Sequence, residues 1–438
     1  MTSRPDRHAT STVRVALLGC GNVGSALAQL LLTRQDDIAA RTGIRLELVA
    51  IAVSGANRTR PAAIPGELFG TDAAALVARD DVDVVVELIG GLHPAQELIE
   101  AALRAGKPVV TANKAVLAVS GAELAELADA RGVDLLYEAA VAGAIPIVRT
   151  LRESLAGEQI VRVMGIVNGT TNFILTRMEE DGVDFADALA EAQRLGLAER
   201  DPTADVEGHD AAAKAAILAA LAFGSDVVDI DVHREGISGI RAVDVAYANR
   251  LGYSVKLLAV AELVDGGPEL SVRVHPAMVP KAHPLASVRG AFNAVFVEGA
   301  VSGELMLYGR GAGGEPTASA VLGDLVDAAR NLCAGAPAPA PKRTSITVRP
   351  QPELRSAFYL SMDVTEGLGV LAAVAKVFGD HKVSIRAMEQ VGWDDEARLI
   401  FLTHKAREGD LLGTIDELRL LQAVDRVGGV LRVIGEEE

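Results

Sequence analysis

The feature that most restricts this chain stands near its start. Val13 to Leu18 is an apolar run broken only by Arg14, and it leads straight into Gly19-Cys20-Gly21-Asn22-Val23-Gly24. Apolar residues then recur every three or four positions from Ser25 to Leu32, which is helical spacing. A strand, a tight glycine turn and a helix in that order leave few folds open. In such a turn the first glycine permits the bend, the second lets a pyrophosphate approach the backbone, and the third packs helix against strand. The free N–H groups of the helix start would face the phosphates. A lone G-x-G-x-x-G is weak. Its setting here makes it a dinucleotide-binding candidate, with Gly19, Gly21, Asn22, Val23 and Gly24 as its residues.

The same alternation continues. Apolar runs at Leu46 to Val53, Val82 to Ile89, Val109 to Thr111 and Val133 to Tyr137 read as strands, and Ala95 to Arg104 and Glu123 to Arg131 as helices. Strands alternating with helices predict an α/β fold with a doubly wound (Rossmann) parallel sheet over 12–138. From about Ala139 longer strands such as Ile160 to Val167 mix with helices such as Asp210 to Phe223, the texture of an α+β domain reaching to 310. Ala334 to Pro341 reads A-G-A-P-A-P-A-P, a stiff extended linker within 334–354. Beyond it, 355–438 follows the order strand, helix, strand, strand, helix, strand, a ferredoxin-like βαββαβ unit. The linker makes that unit an appended module, so truncation after about Pro341 is expected to leave a soluble, active remainder.

Composition narrows the partners. A formal net charge of -17 opposes a nucleic acid, whose phosphates would be repelled. Two cysteines, Cys20 and Cys333, cannot form a disulfide framework, and a reduced compartment is the simple reading. The polar stretch Met1 to Thr12 is no signal peptide, and no run of about 20 apolar residues suggests a membrane span. The expectation is a cytoplasmic protein.

Cofactor choice is read from the second strand. NAD-selective sites often carry Asp or Glu after it, bonding the ribose hydroxyls. Here the chain reads Ala52-Val53-Ser54-Gly55-Ala56-Asn57-Arg58, with Arg60 close by. A missing carboxylate and two arginines favour NADP over NAD; the plainer reading is that both arginines solvate a loop. Catalysis is read from Glu199 to Lys214, E-R-D-P-T-A-D-V-E-G-H-D-A-A-A-K. Asp210 and Lys214 stand at i and i+4, on one helix face. An exposed ion pair is the bland reading, worth tenths of a kcal/mol. Against it, Ala215 to Ala222 is apolar all round, so the helix should be buried, and a buried lysine needs a reason. A lysine held by a carboxylate can give a proton to a carbonyl oxygen while hydride reaches the carbon.

G-C-G-N-V-G, T-A-N-K-A (Thr111 to Ala115), E-A-A-V-A-G-A-I-P (Glu138 to Pro146), G-I-V-N-G-T-T-N (Gly165 to Asn172), D-P-T-A-D-V-E-G-H-D-A-A-A-K and G-R-G-A-G-G-E-P-T-A-S-A (Gly309 to Ala320) occur in this order. Together they resemble the homoserine dehydrogenases over about 12–333, and the remainder resembles an ACT domain. The resemblance implies NAD(P)-dependent interconversion of L-aspartate 4-semialdehyde and L-homoserine, on the route to threonine, methionine and isoleucine. It implies Lys214 as proton donor and acceptor, with Asp210 as its substrate-contacting partner. Glu199, Asp205 and Lys114 would bind substrate; Glu207 is a further candidate for its ammonium. Lys114, Gly196 and Gly313 join the cofactor set, Gly313 in a segment, 311–333, that returns to the nucleotide-binding domain. Glu138, Val141, Gly143 and Ile145 match a site where mainly backbone oxygens hold a monovalent cation, usually sodium. A homodimer or homotetramer is implied for the middle domain, and threonine as a possible effector of the ACT-like module. His209 reads as surface.

Two departures stand out. Cys20 replaces a residue that is commonly hydrophobic. At the first turn of the C-terminal unit, V-T-E-G-L-G-V-L (Val364 to Leu371) has Leu368 where ACT domains usually place proline. Two rivals remain open. A thiohemiacetal-forming dehydrogenase needs a nucleophilic cysteine in the substrate domain, and neither cysteine suits. A non-enzymatic sensor would bind nucleotide and amino acid without turnover, which the acidic cluster and its lysine oppose.

Overall fold

The computed structural model describes residues 10–55, 63–338, 343–344, 346–393 and 396–435. The chain forms two compact units: one comprises Met1–Gly157, Ala220–Val228 and Gly309–Thr344, the other Glu158–Ala219, Asp229–Tyr308 and Ser345–Glu438.

In the first unit six parallel strands lie in the order Phe69–Gly70, Ile44–Ala52, Ser11–Leu18, Val84–Glu87, Val109–Thr111, Leu135–Leu136. This is the order of a doubly wound dinucleotide fold. Alternate residues of the first strand serve opposite faces. Val13, Val15 and Leu17 pack with Leu27, Leu31, Val321 and Leu325, while Ala16 and Leu18 pack with Val85, Leu98 and Ile99. Both faces are buried, which is why these strands read as continuous apolar runs. Each buried Val or Leu contributes roughly 1.5–3 kcal/mol. The helix read as starting at Glu123 begins at Lys114, where the Asn113 side chain accepts a bond from Val116 N–H. Its first half, Ala-Val-Leu-Ala-Val-Ser-Gly-Ala, has no clear polar face and so hides the helical period. The strand read over Val133 to Tyr137 pairs only through Leu135–Leu136.

The second unit is built on a mixed sheet. Across it run Gly303–Arg310, Phe292–Gly299, Ile160–Ile166, Tyr253–Leu263, Glu269–Pro280, Val424–Val433, Arg355–Thr365, Glu396–Thr403 and Ile385–Trp393. The last four form the expected βαββαβ order, with helices Val370–Asp380 and Glu408–Leu418 on a core that includes Phe358, Leu360, Phe378 and Phe401. One finding differs from the sequence reading. The segment after the linker shares a sheet with the strands before it: Ala277 pairs Arg432 and Met278 pairs Val433, in parallel. Two apolar edge strands that fit one another were not visible as such, because each reads as an ordinary alternating strand. No described helix is long and apolar enough to cross a membrane.

Candidate active site

In the first unit the glycine loop has the geometry its motif requires. Gly19 has φ +96°, and a Cβ there would lie 2.5 Å from Leu88 O. A Cβ on Gly24 would lie 2.3 Å from Gly19 O, so helix and turn meet where only glycine fits. Gly21 is different: nothing lies within 4 Å of a Cβ built on it. It caps the helix Asn22–Thr33 with no side-chain bond to the helix start, and it lines an open cleft with Gly19, Ala52, Ser54 and Leu88. A dinucleotide's phosphates fit that cradle. Gly21→Val should therefore leave the fold's melting temperature nearly unchanged and weaken nucleotide binding by at least tenfold, roughly the value of one or two lost backbone contacts; unchanged affinity by titration calorimetry would reject the cradle.

The late glycine segment closes on this loop. Gly313 has φ +123° and caps the helix Gly314–Ala334, and a Cβ on Gly314 would lie 2.9 Å from Asn22 O. Sequence reasoning missed Glu87. It is fully buried at the end of its strand, accepts bonds from Ile89 N–H (2.7 Å) and Gly90 N–H (3.2 Å), and takes the Thr111 hydroxyl at 2.6 Å. Thr111 Oγ1 in turn accepts from Asn113 N–H, and the Asn113 amide donates to Gly91 O at 2.7 Å. Glu87 thus fixes the strand-end loops and the helix start that carries half-buried Lys114. A carboxylate ending an apolar strand was the available signal. Arg58 and Arg60 lie outside the described residues.

The residues expected to hold a cation also sit in this unit. Ala142 (φ 56°) and Gly143 (φ 60°) make a left-handed turn, and a Cβ on Gly143 would lie 2.5 Å from Gly311 O. Glu138 is 4 % exposed, and its carboxylate accepts from Val148 N–H (2.8 Å) and Arg149 N–H (2.9 Å). Both carboxylate oxygens are thus engaged with the backbone. Beside it Asp324 accepts from Glu138 N–H at 2.6 Å. Burial pushes the Asp324 carboxyl up to about 7, the nearby Glu138 adding to the rise against the bond from Glu138 N–H. The folded protein then holds a proton that the unfolded chain has released, so stability falls as pH rises from the ordinary carboxylate range through about 7, and levels off above. Asp324→Asn should flatten that slope in urea unfolding between about pH 5 and about pH 8; a difference from the parent that does not change with pH would contradict it.

The second unit holds the Lys214–Asp210 pair. Lys214 lies on the helix His209–Phe223 and is 9 % exposed, Asp210 8 %. Lys214 Nζ donates to Asp210 Oδ2 and to Val167 O, both at 2.7 Å. The Asn168 amide donates to Asp205 Oδ1 (2.7 Å) and to Asp210 Oδ2 (2.9 Å). Asn168 also caps the helix Gly169–Asp181 through its Oδ1, which accepts from Thr171 N–H. One asparagine thereby ties the G-I-V-N-G-T-T-N segment to the acidic one; the sequence offered both motifs but not the side chain joining them. Glu207 is half-buried, whereas Glu199 is exposed, its carbonyl accepting from the Gln193 amide. His209 is exposed, as expected. Gly196 occupies an exposed left-handed turn of this unit (φ 71°). The described residues contain no cluster of three or more His, Cys, Asp and Glu that could hold a metal.

A dinucleotide fold in one unit and a buried lysine–carboxylate pair in the other are the parts expected of a nicotinamide-dependent dehydrogenase. Comparison with known proteins makes the class specific. Residues 146–326 match the family profile described as homoserine dehydrogenase, and 19–138 the one described as homoserine dehydrogenase, NAD binding domain. A homoserine dehydrogenase of Corynebacterium glutamicum is 51% identical over 433 residues, 98% of this chain and 97% of that protein. The crystal structure of a homoserine dehydrogenase from Thiobacillus denitrificans superposes with a TM-score of 0.91 at 40% identity, covering 97% of this chain and 98% of that one. A hyperthermophilic archaeal homoserine dehydrogenase in complex with NADPH gives a TM-score of 0.61 at 30% identity, over 73% of this chain and 98% of its own. The chain belongs to the homoserine dehydrogenase family. It is an NAD(P)-dependent oxidoreductase.

Proposed function

We propose that Lys214 carries the proton in the interconversion of L-aspartate 4-semialdehyde and L-homoserine. The carrying observation is its burial with Nζ bonded to Asp210 and Val167 O. An ammonium has three donors; two are directed at these oxygens, and the third serves the substrate oxygen. When bound, the nicotinamide supplies or accepts the hydride. In the reducing direction Lys214 gives a proton to the oxygen that becomes the hydroxyl; in the oxidising direction it takes that proton back. Asp210 orients the ammonium. Asp205, Glu207 and Glu199 supply carboxylates for the substrate ammonium, and Lys114 and the backbone amides of Gly169 and Thr170 suit its carboxylate. Gly19, Gly21, Asn22, Val23, Gly24 and Gly313 hold the dinucleotide; Lys114 and Gly196 complete that set. The carbonyls of Glu138, Val141, Gly143 and Ile145 hold a monovalent cation, in our reading sodium, which locks the turn against Gly311. The setting is cytoplasmic, and the working form a homodimer or homotetramer.

NADP is the preferred cofactor, through Arg58 and Arg60. Alanine at both positions should raise the NADPH KM about tenfold, as loss of charged hydrogen bonds does, and spare that for NADH; equal effects on the two would make the arginines bystanders. Steady-state turnover of homoserine with each cofactor tests the activity itself. Residues 355–438 are read as an ACT domain. Its first turn is open to a small ligand: Gly369 has φ +84° and Leu368 is fully exposed. Threonine, an end product, is the effector we would try there. It can inhibit only by binding the less active state better.

A further inference from the structure

Arg432, on the strand Val424–Val433, is 4 % exposed. Its guanidinium bridges two carboxylates: Nε and Nη2 lie 2.8 and 2.6 Å from the Glu408 oxygens, and Nη2 lies 2.8 Å from Glu235 Oε1. Glu408 is amply served besides, by Arg273 (3.0 Å), Ser356 (2.8 Å) and Gln351 (2.7 Å). Glu235 takes Arg432 and His233, each at 2.8 Å. Burial pushes the Glu235 carboxyl up, but the bonds from His233 and Arg432 outweigh it and hold the group ionised.

Glu235 and the two residues after it are locked to the acidic segment. Glu235 N–H donates to Val274 O, and two residues on Ile237 N–H donates to Val206 O, both at 2.8 Å. A Cβ on Gly236 would lie 2.4 Å from Val206 O and 2.7 Å from Glu207 Oε2. A Cβ on Gly208 would lie 3.4 Å from Glu235 O and 3.3 Å from Val274 Cγ1. The backbone of 235–237 is thus pressed on 206–208, with no slack on either side. Asp205 and Asp210, which flank that stretch, share the Asn168 amide, and Asp210 accepts from Lys214. A seam between strands needs no such ion pair: apolar residues serve equally well or better. An arginine fork, by contrast, fixes the carboxylate it grips, here Glu408, and its Nη2 also holds Glu235 Oε1.

We propose that Arg432 is a positioning residue for the dehydrogenase reaction. Through Glu235 it sets where the segment 205–210 stands, and with it the affinity for the amino-acid substrate. The C-terminal module therefore takes part in every turnover, with no effector present. This rests on the proposed role of 205–214 in binding substrate and carrying the proton.

The test uses the full chain and three variants. Glu235→Gln takes the charge from the Arg432–Glu235 bond, and Arg432→Lys removes the two-pronged grip on Glu408 as well. Asp363→Asn weakens a different bond of the module, Arg241 to Asp363 (2.8 Å), whose arginine lies outside the 235–237 stretch that is bonded to Val206. Glu235→Gln and Arg432→Lys should raise the homoserine KM roughly tenfold, the size seen for substitutions that act on a site they do not touch. Their NADP KM should stay within about twofold of the parent, since the nucleotide cradle lies in the other unit, and kcat, which also depends on Asp210 in that segment, should fall by no more than the homoserine KM rises. Asp363→Asn should leave all three constants alone. An unmoved homoserine KM in Glu235→Gln overturns the proposal, as does an equal rise in Asp363→Asn, which would report only a weakened seam. If Arg432→Lys fails to fold, Glu235→Gln decides, its side chain being 32 % exposed. Lys214→Ala separates the two readings: ordinary turnover there defeats the site assignment, whereas lost turnover beside an unmoved Glu235→Gln defeats this proposal alone.

Discussion

Lys214→Ala should lower kcat by about two to four orders of magnitude in both directions, the usual contribution of a general acid or base. The nucleotide cradle lies in the other unit, so NADPH affinity, read by fluorescence titration, should stay close to that of the parent. Removing one partner of a buried ion pair also destabilises, by about 3–5 kcal/mol, because Asp210 is left in place. Activity should therefore be compared well below the variant's melting temperature. Asp210→Ala should also be crippled, and the double variant should lose little more than the worse single one, because the two groups act as a unit. A Lys214→Ala enzyme that reduces the semialdehyde at near-parental rates would remove the lysine from the mechanism.

Truncation after Pro341 has the second largest expected effect, and the structure reverses what the linker suggested. Val424–Val433 would be stripped from Glu269–Pro280, leaving that strand as an open edge. Arg273 would lose Glu408, Glu235 would lose Arg432, and fully buried Asp244 would lose the hydroxyls of Tyr359 (3.1 Å) and Ser361 (2.7 Å). Uncovering several polar groups at once costs about 1–3 kcal/mol for each one left unsatisfied, a large share of a domain's net stability. The truncated chain should aggregate, or melt well below the parent, and show little activity. A soluble, monodisperse fragment with parental turnover would mean that the shared sheet is dispensable.

How much was legible depends on how local each signal is. The cofactor loop was read residue by residue, because strand, turn and helix are consecutive and each glycine has its own steric reason. The Lys214–Asp210 pair was read for the same cause: one helix turn separates them. The C-terminal βαββαβ order was read from periodicity alone. The features that escaped join residues far apart in the chain. Asn168 to Asp205, Glu87 to Thr111 and Arg432 to Glu235 are pairings of polar residues that look like ordinary surface until the fold brings them together. The sheet joining Ala277 to Arg432 escaped too, because a Pro-rich stretch reads as a boundary whether or not the elements beyond it fold back.

The closing of Gly314 on Asn22 has a consequence for how the molecule comes into being. The face of the first sheet that receives Leu27 and Leu31 is finished by Val321 and Leu325, supplied about three hundred residues later in translation. A nascent chain that has emerged only as far as Gly157 has all six parallel strands but an uncovered apolar flank. Its first 157 residues must wait for about 170 more before that flank is covered. Such late pairing slows folding, since loop closure over long separations precedes any reward from contact. The part of the enzyme that starts first at the ribosome is thereby among the last to mature, and in the interval its bare flank is the surface most in need of a chaperone.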